Sequence, residues 1–534
     1  MRIHVADNFD TLRSIAIKHK IDLPDILALN PLIPEPDQNI SGIAVKLPTK
    51  FTSIKDKDTC LGVIPAPISE GAWIPLTTLD EMAQNEYDVL IIGSGAGGGA
   101  VLWRLCSQWG INNKRIGIIE AGDLLIPTNA HNIATMGSKH VADYFLKSSF
   151  PVANTGFREV IALGGRMLFW NGISPRMHLH TFGKWPVPVN EMTRYFNIAE
   201  QSMNVTQEYT AGSHINKVLL DRLWENGWVE AMNTPLAADL QSTKDGELHS
   251  NVFFSTILYF ARALNYRSFD LAVKARALRV IVENNKAVAV EVMSLSKKSY
   301  FLKAKTIIMA ASTIQTPRIL LHSGITGIAL GHYLSGHSYV TTYTRINKSY
   351  SQDVLGPVSI LIPETNVRPY QVSIENYLDQ ISHGNQRPFK DQHYMALYGM
   401  VTAEPRFENQ IILDSRIKDE YGLPAVNVDF TLSERDKSIQ QQAEKILKKI
   451  VSDLGMPINE ITRITSLGHL ASGTCRMGLD PAVSATDLNG QIHGVSGLYV
   501  ADNSVLPWLG AANPTLTTIA LAIRTADHII GQLK

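Results

Sequence analysis

The stretch YDVLIIGSGAGGGAVLWRL at residues 87–105 decides the fold. Its first six residues are mostly apolar and β-branched, the composition of a strand buried on both faces of a parallel sheet. Gly93, Gly95 and Gly98 follow as GxGxxG. The first glycine permits a tight turn, the second lets the backbone approach a pyrophosphate, and the third lets the next helix pack closely on the strand. The amides that open this helix, from Ala96 onward, then face the phosphates. The helix keeps Ala100, Leu102, Leu105 and Cys106 apolar, and a second strand, RIGIIE at 115–120, ends in Glu120. That acid stands about 20 residues beyond Gly98, as expected of the group that binds an adenosine ribose. A merely flexible glycine turn does not account for it. The loop alone leaves FAD and NAD(P) open.

The whole chain has 534 residues, enough for several domains. Lys plus Arg and Asp plus Glu are 49 each, so the formal charge is zero, which argues against a nucleic-acid partner that would need a basic excess. Apolar residues make up 45%, which excludes a disordered chain. The three cysteines, Cys60, Cys106 and Cys475, form neither a disulfide framework nor a zinc-type pair, so no metal site is expected. No apolar run is long enough to cross a bilayer, and the start MRIHVADNFDTL lacks a signal pattern, so a cytoplasmic location is expected, with non-classical export or envelope association as the alternative.

Residues 1–48 read as a separate βααβ unit. Extended pieces at 3–6 and 43–48 bracket two helical patterns, the first capped by Asp10 or Thr11, the second stopped at Asn30-Pro31. The string DTLRSIAIKHKIDLPDILALNP resembles a LysM domain, and the resemblance implies contact with glycan or peptidoglycan. Phe9 stands where that family has glycine before Asp-Thr. Residues 49–84, with prolines at 65, 67 and 75, suggest a linker or wrapping segment.

Further segments, in order, resemble the glucose-methanol-choline (GMC) FAD-dependent oxidoreductases over about residues 85–534. LGGRMLFWNG at 163–172 is similar to the family loop along the flavin ring, which implies contact through Gly164, Gly165, Asn171 and Gly172. AASTIQTPRILLHSGI at 310–325 is similar to the family signature, and LGHYLSGH at 330–337 to its Gly-x-x-Leu-x-x-His segment. EPRFENQIILDSRIKDEYGLPAVNVDF at 404–430 resembles the strand pair of the substrate-domain sheet. HLASGTCRMG at 469–478 and YVADNS at 499–504 open the closing stretch, where Asp502 and Asn503 would meet the FAD pyrophosphate and Val280 would lie near adenine.

The implied fold is α/β. A Rossmann-like FAD domain with a parallel sheet takes 85–189, 265–345 and 465–534, and an α+β substrate domain with an antiparallel sheet takes 190–264 and 346–464. Alcohol oxidation by hydride transfer needs a base for the hydroxyl proton, and imidazole titrates near neutrality. By resemblance the base is His469, with one residue more than usual between it and Thr474, and Asn513 is its partner. Asn513-Pro514 also reads as N-cap and N1 of the last helix, placing Pro514 and Thr515 at the flavin.

Trp170, SPR at 174–176 and NPTLT at 513–517 resemble the pyranose-oxidase branch. Its flavin-linking histidine is replaced here by Phe169, which cannot form the bond, so non-covalent FAD is implied. Leu168 replaces the branch's neighbouring polar residue, leaving oxygen or a quinone as acceptor, and oxidase or dehydrogenase, open. Tyr259, Phe260, Tyr370, Tyr377 and Tyr398 are compatible with a sugar-stacking surface or with core. The expected function is FAD-dependent oxidation of a small alcohol, perhaps a carbohydrate. The alternatives are a glycan-binding or assembly protein with an idle flavin domain, and an NAD(P)-dependent dehydrogenase.

Overall fold

The computed structural model describes residues 2–33, 35–47, 72–133, 138–152, 155, 158–178, 181, 183, 185–241, 252–347, 356–376, 392–458, 461–464 and 470–533. The chain divides into two compact units, Met1–Pro67 and Ile68–Lys534.

In the first unit, strands Arg2–Val5 and Ala44–Leu47 pair antiparallel and enclose helices Leu12–His19 and Leu23–Leu29. Leu12, Ile15, Ile26, Ile40 and Val45 form its core. Thr11 caps the first helix in a reciprocal box with Ser14, while Asp10 accepts from the Asp7 amide and the Ser14 hydroxyl. Asn30 ends the second helix and pins it to the last strand, donating to Ile26 O and Lys46 O and accepting from Lys46 N. Cys60 and the prolines at 65 and 67 lie outside the described residues.

The second unit is built on two sheets. The strand Glu86–Ile92 lies in the middle of a parallel set, with Ile116–Ile119 and then Asp270–Ala272 on one side and Ser299–Met309 on the other. Ser299–Met309 changes neighbours along its length. Its first half pairs antiparallel with Lys286–Met293, followed by Arg276–Glu283, and its last three residues pair parallel with Leu498–Val500. The helix Ala96–Trp109 packs against the C-terminal helix Thr515–Gln532, whose other neighbour is Val189–Met203. Residues 72–84 of the segment read as a linker lie against this body. Thr77 N donates to Leu271 O, and Asp80, on the short helix Leu79–Ala83, meets Lys298 Nζ and the Tyr300 hydroxyl.

The second sheet is antiparallel, in the order Ile461–Ile464, His337–Asn347, Gln392–Thr402, Tyr370–Glu375, Ser359–Ile362, Met232–Asn233. Strand periodicity sorts its faces. Val340, Val372, Ile374, Leu397 and Val401 turn to a core shared with Ala443, Leu447 and Ile450 of the helix Glu434–Asp453. The alternate positions, Tyr339, Gln371, Ser373, Glu375 and Tyr398, form the opposite face.

Several expectations are corrected. His337–Asn347 belongs wholly to the antiparallel sheet, although its first nine residues were expected in the nucleotide region. Tyr259 and Phe260, expected with the substrate region, are buried on the helix Ile257–Tyr266 against the glycine-loop helix, where Tyr259 stacks on Trp103. Tyr370 is core behind the sheet, and Tyr377 lies outside the described residues. The hairpin Gln410–Lys418 with Pro424–Asp429 forms its own two-stranded sheet, separate from the six-stranded one. It is tied to the helix Ser312–His322 because the buried Arg318 guanidinium donates to the carbonyls of Leu423 and Pro424 and to Asp419.

Candidate active site

A cavity of about 440 Å³ lies where the carboxyl ends of the parallel strands meet the polar face of the antiparallel sheet. Three helices begin on it, at Ala96, Ser312 and Thr515, and none is capped by the side chain of the residue before it. Amides at helix starts carry partial positive charge, so the cavity is suited to phosphate and to a ring that gains negative charge.

The glycines divide by what surrounds them. A Cβ on Gly93 would lie 2.4 Å from Ala310 O and one on Gly98 2.0 Å from Gly93 O, so both are demanded by close packing of strand, turn and helix. Gly97, which sequence reasoning did not single out, is tighter still, 1.6 Å from Ala501 O. Gly95 differs. Its Cβ would meet no protein atom within 4 Å, leaving its backbone bare toward the cavity. Gly165 lies against Gly95 and lines the cavity, while Gly164 stands behind and donates its amide to Ser94 Oγ at 2.9 Å.

Glu120 lines the cavity at the end of its strand, and its carboxylate also ties the loop together. It accepts from Ser94 N at 3.2 Å, Ser94 Oγ at 2.5 Å and Gly122 N at 2.8 Å. Burial raises its pKa, and these donors pull the other way. Asp502 is likewise buried and engaged, accepting from Ser312 N, the Thr316 hydroxyl, and the amide and hydroxyl of Ser504. Burial raises its pKa as well, against the same donors. Asp502 thus fixes the start of the helix Ser312–His322, a structural use that its place in YVADNS did not disclose. Asn503 shares the cavity wall, its side chain accepting from Thr518 and donating to Ala471 O.

Sequence reasoning missed a third acid and two cations. Glu159, on the strand Arg158–Val160, accepts from the Ser312 hydroxyl and from Gln315 Nε2, and burial raises its pKa. Arg166 follows the glycine pair, and burial pushes its guanidinium down to about 10 while Glu159 and Tyr339 oppose the shift. Arg276 is the second cation. Arg166 stands inside the LGGRMLFWNG segment, whereas no short motif marks Glu159 or Arg276, because the cavity is assembled from segments far apart in sequence.

Val280 does not line the cavity. Its amide donates to Ser323 Oγ, and Ala275, Arg276 and Ala277 at the start of the same strand form the wall instead. Trp170 and Asn171 line it; the Trp170 indole donates to Phe254 O, and Asn171 bonds to His131. Gly172 stands behind them, its carbonyl accepting from Ala237 N. Phe169 packs edge-to-face on Phe145, and Phe145 lines the cavity.

His469 lies outside the described residues, whereas Leu470 and Ala471, which follow it, line the cavity. Asn513 lines it too, but it does not cap the last helix. Pro514 holds the cap position, and the Asn513 side-chain oxygen accepts instead from Gln371 Nε2 at 2.7 Å. The turn before it is moored to the second sheet. Gly510 O takes hydrogen bonds from His337 Nε2 at 2.8 Å and from the Thr402 hydroxyl, and Ala511 N donates to Glu364. Burial pushes His337 down to about 4, so the ring donating to this carbonyl is neutral. Gly510 is required here, with φ of 65° and a Cβ position 2.9 Å from Glu364 Oε1.

The GMC oxidoreductase family models match residues 161–339 and 405–522, together more than half of the chain. A C-glycoside 3-oxidase of Arthrobacter globiformis is 25% identical over 393 residues, 70% of this chain and 74% of that protein. A paromamine 6'-oxidase of Streptomyces fradiae is 26% identical over 522 residues, 84% and 92% of the two chains. A pyranose 2-oxidase of Tricholoma matsutake is 23% identical over 311 residues, 50% and 54%. Among solved structures, a formate oxidase of Aspergillus oryzae superposes with a TM-score of 0.63 at 14% identity, covering 84% of this chain and 98% of that one, a likeness of fold. The matched segments carry the cavity's loop after Gly164 and the turn bearing Asn513, and the chain belongs to the GMC oxidoreductase family, FAD-dependent enzymes that oxidise CH–OH groups.

Proposed function

We propose that this enzyme oxidises a hydroxyl group of a sugar or glycoside, using FAD held without a covalent link. The observation that carries the reading is that Asn513 and the bare backbone of Gly95 line one cavity, beside three helix starts. Gly95 and Ala96 hold the pyrophosphate, Glu120 the ribose, and the amide of Asn503 a phosphate oxygen. Gly165, Trp170 and Asn171 border the flavin ring, and the start of the Thr515–Gln532 helix favours the charge that the ring gains. When bound, FAD supplies the acceptor for a hydride. The chain's own groups handle the hydroxyl. His469 takes its proton, a task suited to a neutral imidazole, and the Asn513 NH2 group donates to its oxygen and holds the carbon in line. Phe169 in place of a linking histidine supports non-covalent FAD.

Two observations favour a carbohydrate. Relatives named for action on a C-glycoside, on paromamine and on a pyranose align over half or more of the chain. The polar face of the antiparallel sheet brings Tyr339 to the cavity wall, with Ser373, Glu375 and Tyr398 on the same face, groups of the kind that exchange hydrogen bonds with a polyol. The segments flanking this sheet then form the substrate domain and the glycine-loop layer the FAD domain. The test is anaerobic bleaching of the bound flavin by a panel comprising D-glucose, methyl glucoside, an aryl C-glucoside, an aminoglycoside and simple alcohols, followed by air or a quinone. Bleaching by a sugar or glycoside supports the reading, and bleaching by simple alcohols alone overturns it. Acid precipitation should release all the flavin into the supernatant. His469→Ala should keep FAD and lose bleaching by at least a hundredfold, in line with the ~10²–10⁴ contributed by a general base.

A further inference from the structure

An asparagine amide has two ends of similar shape and opposite character, an oxygen that accepts and an NH2 that donates, so its usefulness at a reacting hydroxyl depends on which end faces out. For Asn513 the neighbours decide. Gln371, on the strand Tyr370–Glu375, is 1% exposed, and its Nε2 donates to Asn513 Oδ1 at 2.7 Å. A rotated Asn513 would set NH2 against NH2. Gln371 has the same ambiguity, and it too is resolved. Its second contact from Nε2 is to the Met400 sulfur at 3.9 Å, directly across the strand pair, and a thioether can only accept. The Gln371 NH2 group therefore donates both to Met400 Sδ and to Asn513 Oδ1, leaving the Asn513 NH2 group for the cavity that Asn513 lines.

Resting on the reading of Asn513 given above, we propose that Gln371, itself oriented by Met400, is a positioning residue that presents the Asn513 NH2 group, and not its oxygen, to the substrate hydroxyl. It touches neither substrate nor flavin in this role. The turn that carries Asn513 is already moored through Gly510 and Ala511, so loss of Gln371 frees the amide's rotation and not the backbone.

The experiment is a double-mutant cycle on the flavin-loaded enzyme, read as the limiting rate of anaerobic flavin bleaching by the fastest sugar or glycoside of the panel. Gln371→Met keeps the volume and removes the donor. It should bind FAD fully, bleach ten- to a hundredfold more slowly, and change the half-saturating substrate concentration less than threefold. Asn513→Ala should be at least as slow. The double variant should match Asn513→Ala within twofold, because Gln371 acts through Asn513. Effects that multiply overturn the inference, as does Gln371→Met at the wild-type rate while Asn513→Ala is slow. Asn513→Ala at the wild-type rate removes Asn513 from the reaction, a different failure, which takes down the earlier reading as well. Met400→Leu gives a second handle should position 371 not tolerate change. It should slow bleaching several-fold, and a wild-type rate overturns Met400's part.

Discussion

At the scale of single residues, neighbouring glycines of the loop do opposite work, and substitution separates them. Gly97 packs on the Ala501 carbonyl, so Gly97→Ala places a methyl inside another atom's radius and should cost about 3 kcal/mol of stability, as overpacking of a tight contact does. A Cβ on Gly95 would meet no protein atom, so Gly95→Val should fold with an unchanged far-UV spectrum, yet emerge with little FAD and melt like flavin-stripped wild type, because its side chain occupies the space where phosphate approaches. The flavin-to-protein absorbance ratio checks the second expectation, and a yellow Gly95→Val protein would refute it. In the first unit Phe9 sits at φ of 73° with its side chain 85% exposed. A left-handed conformation costs an L-residue about 1–2 kcal/mol and glycine almost nothing. Phe9→Gly should therefore slow hydrogen exchange in residues 2–47 of the full chain, and faster exchange there would contradict it.

At the scale of elements, the polar face of the Tyr370–Glu375 strand carries a titration. Burial pushes the Glu375 carboxyl up to about 7 from its ordinary 4.5, and the Ser373 hydroxyl pulls it back only in part. Between those values the folded chain keeps a proton that the unfolded chain has released, so stability falls as pH rises through that window. At ~1.4 kcal/mol for each pKa unit, the loss above pH 7 approaches ~3.5 kcal/mol. Glu375→Gln abolishes it, so the variant's melting temperature should exceed wild type at pH 8 and approach it near pH 4.5. An equal gap at both pH values would show that the carboxyl does not titrate there. What sequence disclosed at this scale follows from range. The strand, glycine turn, helix and acid at 86–120 are local and were legible, as was the βααβ string. Gln371, Glu159 and Tyr339 were not, because only sheet register and long-range packing bring them to the site. Asn513 was found, but its capping role was inferred from local spacing, and a long-range partner on the second sheet holds its oxygen instead.

At the scale of the whole molecule, the cavity wall draws on residues within 92–97, 119–121, 159–173, 275–277, 310–319, 470–471, 502–503 and 513–518, with Phe145 and with Tyr339 from the second sheet. Direct hydrogen bonds join these segments, among them Ala310 N to Ile92 O, Gly164 N to Ser94 Oγ, Ser312 N to Asp502 and Asn503 Nδ2 to Ala471 O. Glu120, Asp502 and Glu159 hold pairs of segments together by accepting from their backbones and hydroxyls, and each does so at the cost of its own burial. The pyrophosphate of FAD would meet the start of the Ala96–Trp109 helix and the Asn503 amide, and its ring the start of the Thr515–Gln532 helix, so one cofactor would span several of these segments. FAD should therefore act as a stabiliser of the entire second unit and not of the glycine loop alone. Free cofactor at a thousand times its dissociation constant adds ~4 kcal/mol by mass action. Stripping the flavin should lower the melting temperature and raise hydrogen exchange together at 93–97, 310–315, 502–503 and 513–518, and readdition of FAD should restore all four. Exchange that rises only at 93–97 would mean that the C-terminal stretch is held by its protein contacts alone, and that the cofactor does not draw the distant segments into one site.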